Sequence, residues 1–143
     1  MTSACVWLTG RSGSGKTTIA TAVVAELRRR GRAAAVIDEP EARTHLGTDD
    51  RAAALAWVAE LLVSSGVVAV VAVDEPERSV RERLRQEISA FVEVFVDRGT
   101  PTDGYEEPFA PDLRVPTHDR DADASAAQVV SWLEDAGVVG RTP

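Results

Sequence analysis

The sequence predicts an α/β protein with a doubly wound, mostly parallel sheet in a three-layer α/β/α arrangement. Three observations carry that expectation. Short apolar runs rich in Val and Ala alternate with helix-period segments along the 143 residues, the pattern of a parallel sheet covered by helices on both faces. The first run leads directly into Gly10-Arg11-Ser12-Gly13-Ser14-Gly15-Lys16-Thr17, a complete G-x-x-x-x-G-K-[ST] phosphate-binding pattern set between a strand and a helix. Acidic residues then close the later strands, at Asp38-Glu39, Asp74-Glu75 and Asp97. In a doubly wound sheet these strand ends share one rim, where ligands bind.

Each element has its own justification. Ala4 to Leu8 is a short apolar run suited to a strand buried on both faces. Lys16 to Arg30 carries Ile19, Val23, Val24 and Leu27 at helical spacing, with Arg28, Arg29 and Arg30 in the last turn and Gly31 as the stop. Ala33 to Ile37 is a second strand ending in Asp38-Glu39-Pro40. Arg51 to Ser64 reads as a helix with Leu55, Val58, Leu61 and Leu62 on one side, ending near Ser65-Gly66. Val67 to Val73 is a continuous β-branched run, Val80 to Ile88 a charged helix, and Phe91 to Val96 a fourth strand ending at Asp97. Gly99 to Pro111 is rich in Pro, Gly and acid without periodicity, so an ordered surface loop is expected. Leu113 to Val115 is a short fifth strand, and Ala124 to Ala136 a closing helix with Val129, Val130 and Leu133 inward. Residues 1–143 read as a single domain of the phosphate-loop kinase type.

Lys16 is the one lysine among sixteen basic residues. Arginine's planar fork is bulky and directional, whereas lysine offers a compact ammonium on a flexible stem that reaches between β- and γ-phosphate oxygens. The glycines at 10, 13 and 15 allow a tight turn with backbone N–H groups aimed at phosphate, and the following helix adds its positive end. The expected ligand is ATP with Mg²⁺. It would be held by Gly10, Arg11, Ser12, Gly13, Ser14, Gly15, Lys16, Thr17 and Thr18, with the Thr17 hydroxyl on the metal.

Composition narrows the partners. A net charge of −7 and a pI near 4.8 argue against nucleic acid or an anionic membrane as the main partner. No signal peptide and no membrane-spanning apolar run is present, so the expected location is cytoplasmic. Cys5, the lone cysteine, reads as a core residue, and His45 and His118 as solvated loop residues. Two similar octads, Val36 to Arg43 and Ala72 to Ser79, each place carboxylates and then an arginine after a strand. An acid at such a strand end can hold Mg²⁺ directly or through water. The competing reading is that Asp, Glu and Pro simply end strands well.

With those residues in place, the chain resembles adenylylsulfate kinase, which phosphorylates the 3′-hydroxyl of adenylylsulfate with ATP. The resemblance is carried by Val6-Trp7-Leu8-Thr9-Gly10 through Thr18, apart from Arg11, by Trp57 to Leu62 with Gly66-Val67-Val68, by Phe91 to Asp97, and by Tyr105-Glu106-Glu107-Pro108 with Pro111-Asp112-Leu113. The departures fall on working positions. Asp38 and Arg43 match the family's first acid and its arginine, but Pro40 stands where the second acid would be the base. The substrate-holding segment is shortened to Gly47-Thr48-Asp49-Asp50-Arg51, and the chain has no asparagine. Glu75-Pro76-Glu77-Arg78 keeps an arginine and loses an aromatic, and the basic lid expected between Asp97 and Thr102 is missing.

The resemblance therefore implies a lidless ATP-dependent phosphotransferase acting on a hydroxyl-type acceptor, small or carrier-borne, other than adenylylsulfate. The alternative is a catalytically degenerate ATP-binding module with a regulatory or partner-binding role. Lys16 and Asp38 are the expected catalytic residues, with Glu39 and Glu75 as alternative bases. Arg43 and Arg78 are expected on the substrate and Thr17 on Mg²⁺ with Asp38 and Asp74 as further ligands; for stabilising charge Arg11 is nearest, inside the loop, while Arg43, Arg78 and Arg98 all follow strand ends on the same rim. A nucleic-acid end kinase is disfavoured by charge. A homodimer is compatible with the sequence.

Overall fold

The structure, a computed structural model, describes residues 3–47, 49–99 and 104–141. Five parallel strands, β1 (Cys5–Thr9), β2 (Ala34–Asp38), β3 (Val68–Ala72), β4 (Phe91–Asp97) and β5 (Leu113–Pro116), form one sheet in the order β2-β3-β1-β4-β5. β1 is central. Val6 pairs in register with Val70 on one side and Val92 on the other. After β1 the chain winds to one edge, then returns to build the other, so the loop leaving β1 lies at the topological switch point.

Helices α1 (Lys16–Arg29) and α5 (Ala122–Asp135) cover one face, packing Ile19, Val23, Leu27, Val129 and Leu133 against Val6, Leu8, Val70 and Val94. Helices α2 (Glu39–Leu46), α3 (Arg51–Ser64) and α4 (Arg78–Glu87) cover the other, with Ala42, Leu55, Ala59 and Leu84 meeting Cys5, Trp7 and Val71. Side chains alternate across the strands, so consecutive β1 residues feed the two cores in turn. Cys5 is fully buried, and burial pushes its thiol up to about 12. No helix among the described residues is long and apolar enough to cross a membrane.

Three local results depart from the sequence expectation. First, Glu39–Leu46 is helical. The Asp38 carboxylate accepts from the Glu41 N–H at 3.0 Å as an N-cap, and Pro40 occupies the first turn, where no N–H is needed. With only Ala42 fully buried, this helix carries too little apolar pattern to be read. Second, α3 buries Leu55, Ala56, Ala59 and Val63, leaving Trp57 and Leu61 exposed. The helix is apolar nearly all round, so periodicity could not select its inner face. Third, α4 begins at Arg78 and turns Arg81 inward. Of the expected loop, residues 100–103 lie outside the described ones; the rest of 104–111 is irregular and tied down by the Glu106 N–H on the Pro76 carbonyl.

Arg81 and Glu93 are both 1% exposed and form an ion pair at 3.5 Å. Arg81 also donates to the Glu75 carbonyl at 2.8 Å and to the Glu106 carbonyl, and its guanidinium sits 5.1 Å from the Tyr105 ring. Tyr105 in turn shares a 2.7 Å hydrogen bond with Thr9, at the end of β1. One buried cation thus fastens the segments after β3 and before β5 to the rim that carries the phosphate loop. Removing Glu93 would strand that cation. Glu93→Ala is expected to destabilise the fold by about 3–5 kcal/mol, and Glu93→Gln by less. Urea unfolding measures both; a loss under about 1 kcal/mol for Glu93→Ala would show that the carbonyls alone satisfy Arg81.

Candidate active site: a phosphate loop between two clefts

The loop owes its position to a close approach. A Cβ on Gly10 would lie 2.7 Å from the Val96 carbonyl and 2.9 Å from Ser14 Oγ. Only glycine lets β1 leave the sheet hard against β4. Gly13 and Gly15 have φ of 79° and 98°, the left-handed region that favours glycine. Gly15 leads into α1 with no side-chain cap and no acid in the first turn, so the helix presents free N–H groups and its positive end. Lys16 is 5% exposed. Its ammonium donates to the carbonyls of Gly10 and Arg11, each at 2.9 Å, and lies 3.1 Å from Asp74 Oδ1. The Arg11 carbonyl also accepts from the Ser14 N–H, while Arg11 Nε is buried with no hydrogen-bond partner among the described residues.

On one side of the loop lies a cleft of about 330 Å³ lined by Ser12, Lys16, Thr17, Thr18, Glu39 and Asp74. The Glu39 carboxylate accepts from Arg51 at 2.5 and 2.9 Å, from Arg43 at 2.9 Å and from the Asp74 N–H at 2.8 Å. Burial alone would raise its carboxyl, but the hydrogen bonds from Arg51, Asp74 and Arg43 and the Arg51 charge outweigh burial and hold it below its ordinary value. Asp38 does not line this cleft, since its carboxylate caps α2. Starting the helix at residue 39 turns Glu39 inward instead. Arg43 thus reaches the site through Glu39, whereas Arg78 stands apart, donating to the Glu107 carbonyl at 2.6 Å and lying 3.8 Å over the Phe109 ring. Glu75 lines neither cleft, and burial raises its carboxyl. Arg51 was visible in sequence only as the end of a shortened segment; its clamp on Glu39 arises from packing α3 beside α2.

Behind the loop a second cleft, about 480 Å³, is lined by Ser14, Gly15, Thr18, Arg98, Thr117, His118 and others from the start of α5. Its size suits a nucleoside-sized group. Arg98 Nη1 donates to the Gly13 carbonyl at 2.6 Å, fixing the cleft's edge to the loop. Ser14 and Ser125 each present a buried hydroxyl with no hydrogen-bond partner among the described residues. His118, expected as an ordinary loop residue, is exposed but lines this cleft.

No group of three or more His, Cys, Asp or Glu suited to a metal ion occurs among the described residues. Mg²⁺ in nucleotide sites needs less: one or two carboxylates, phosphate oxygens and water. The Thr17 hydroxyl with the Asp74 and Glu39 carboxylates on one cleft is a donor set that fits it.

Two outcomes test this geometry. Lys16→Ala is expected to stay folded and to weaken MgATP binding by at least about tenfold, roughly 1.4 kcal/mol, in calorimetry. Glu39 has a folded-state value below its ordinary 4.5. Its stabilising contribution is therefore complete above that value and is lost as pH falls toward the lowered one. Wild type should lose stability more steeply than Glu39→Gln below about pH 5 in acid titrations followed by circular dichroism; parallel curves would remove the Arg51–Glu39 clamp from the stability of this rim.

Comparison with known proteins gives this site a lineage. The family profile for adenylylsulphate kinase matches residues 2–107. An adenylyl-sulfate kinase of Microcystis aeruginosa is 32% identical over 168 residues, covering 94% of this chain and 93% of its own length. A probable bifunctional SAT/APS kinase of Sorangium cellulosum is 31% identical, and the match covers 95% of this chain but only 29% of that relative. Among solved structures, the Mycobacterium tuberculosis APS kinase in complex with AMPPNP and APS aligns with a TM-score of 0.83 at 29% identity, covering 93% of this chain and 98% of that one. A central β1, a glycine-rich loop closed by Lys16, and a family match across most of the sequence agree: this chain belongs to the adenylylsulfate kinase family of P-loop kinases, which use ATP and Mg²⁺.

Proposed function

We propose that the chain is an ATP-dependent phosphotransferase, resembling adenylylsulfate kinase, that moves the γ-phosphoryl of ATP to a hydroxyl of an acceptor other than adenylylsulfate. The observation that carries this reading is the convergence of Lys16, Thr17, Glu39 and Asp74 on one cleft beside the loop. The loop N–H groups and the α1 terminus hold the phosphates. Lys16, anchored by two loop carbonyls, keeps its charge at the γ end. Thr17 and Asp74 would hold Mg²⁺, which when bound would supply positive charge against the charge that develops on transfer.

Glu39 takes the role of the cleft carboxylate in place of Asp38. A carboxyl held below its ordinary value is a weak base, yet phosphoryl transfer through a loose transition state asks mainly for orientation of the attacking oxygen. Glu39, fixed by Arg51 and Arg43, orients the acceptor hydroxyl and receives its proton late. Glu75 has the more basic carboxyl but lies off the cleft.

Several features support an acceptor other than adenylylsulfate. The Microcystis alignment extends over 168 residues against 143 in this chain, so the relative carries segments that this chain lacks. Residues 98–104 alone connect Asp97 to Tyr105, too few for a lid. Glu77 stands where the resemblance calls for an aromatic, and no asparagine is available. An acceptor side without a cover suits a bulky or carrier-borne hydroxyl. A second reading, an ATP-binding module without turnover, is favoured by the capping role of Asp38 and by Pro40.

The test is a phosphoryl-transfer assay with MgATP and a panel of hydroxyl acceptors that includes adenylylsulfate. The expected kcat/KM for adenylylsulfate is below about 10⁴ M⁻¹s⁻¹, with another acceptor exceeding it. Adenylylsulfate as the best acceptor would overturn the acceptor assignment. Tight MgATP binding with no transfer to any acceptor would establish the second reading.

A further inference from the structure

We infer that Arg98 contacts the β-phosphate of the bound nucleotide and stabilises the departing ADP, an inference that rests on the phosphotransferase reading above. Most arginines of this acidic chain are neutralised by carboxylates, as Arg43 and Arg51 are by Glu39 and Arg114 is by Asp97. Arg98 is different. Among the described residues no carboxylate lies within ion-pair distance of it, and even its neighbour Asp97 directs its carboxylate to Arg114 and to the Gly99 N–H. Its guanidinium donates instead to the Gly13 carbonyl, inside the phosphate loop. An uncompensated cation laid on the backbone of an anion-binding loop is placed for an anion.

Which part of the nucleotide it meets follows from the two clefts. The γ end is fixed on the Glu39 and Asp74 side, where Lys16 and Thr17 line the first cleft. Arg98 lines the second, with Ser14, Gly15 and Thr18. A triphosphate laid along the loop must pass Arg98 between its γ-phosphate and its nucleoside. Position is set by rigid structure: Arg98 directly follows β4, whose Val96 carbonyl abuts Gly10, so loop and guanidinium share one frame. One Nη1 proton engages Gly13, and the rest of the five-donor fork remains to meet phosphate oxygens.

The chemistry needs a cation there. In the transfer, the acceptor oxygen–Pγ bond forms and the bond from Pγ to the β,γ-bridging oxygen breaks. The electron pair of the broken bond stays on ADP, and the acceptor proton passes to Glu39 or to water. Negative charge therefore grows on the β-phosphate as the reaction proceeds, and a guanidinium beside it gains strength in the transition state.

The experiment is calorimetry of MgADP and AMP on wild type, Arg98→Ala and Arg98→Lys, with turnover measured on the best acceptor. Arg98→Ala is expected to lose about tenfold or more in MgADP affinity and little in AMP affinity. Its kcat should fall on the order of 10²–10³, with the acceptor KM nearly unchanged. Arg98→Lys should recover part of both losses. Unchanged MgADP affinity in a folded Arg98→Ala protein overturns the inference. Equal losses for MgADP and AMP also overturn it, because they mark a cation that only braces the loop. A wild-type chain that binds MgADP but transfers to nothing removes the phosphotransferase reading while the MgADP–AMP comparison still decides the phosphate contact. A wild-type chain that binds neither MgATP nor MgADP overturns both.

Discussion

β1 is hydrogen-bonded along both edges and covered on both faces, and the chain must escape from it through a gap bounded by the Val96 carbonyl. That steric constraint admits a glycine at position 10 and little else. Because the escape occurs at the switch point, the loop emerges with the ends of β2 and β3 on one side and of β4 on the other. Glu39 and Asp74 come from the first side and Arg98 from the second. The chemistry of each cleft is thus inherited from strand order, before any side chain makes a specific contact.

A protein of net charge −7 that binds a polyanion must hold its charge locally. The rim does so by pairing most of its arginines inward. Arg51 and Arg43 serve Glu39, and Arg81 serves Glu93 and two backbone carbonyls. Among the described residues, the loop backbone faces the two clefts together with Lys16, which Asp74 shares, and with Arg98 and Arg120, which have no carboxylate partner. The buried Arg81 acts through architecture alone, holding the segment that carries Tyr105 against Thr9 at the foot of the loop.

The phosphate loop and the five strands were legible in the sequence because both are contiguous signals: one a pattern of eight residues, the other a set of apolar runs between breakers. Glu39 was only one of several alternatives there. An Asp-Glu-Pro stretch after a strand reads as a stop, and only the Asp38 cap reveals that it is a helix start turning the second acid inward. The inner face of α3 was equally hidden, since Trp57 and Leu61 are as apolar as the residues it buries. Arg51 and Arg98 act across 12 and 85 residues of sequence, and no local pattern encodes such partners.

The contact between Lys16 and Asp74 gives the loop a resident competitor. The anion hole already contains a carboxylate belonging to the protein itself, so an incoming ligand must outbid it for the ammonium. A singly charged ion such as chloride or acetate brings no more charge than Asp74 and forfeits its hydration on entry. A polyphosphate accompanied by a divalent cation would be different, because the cation would offer the displaced carboxylate a new partner. The loop is therefore self-screened: Lys16 already holds a counter-ion of the protein's own before any ligand enters.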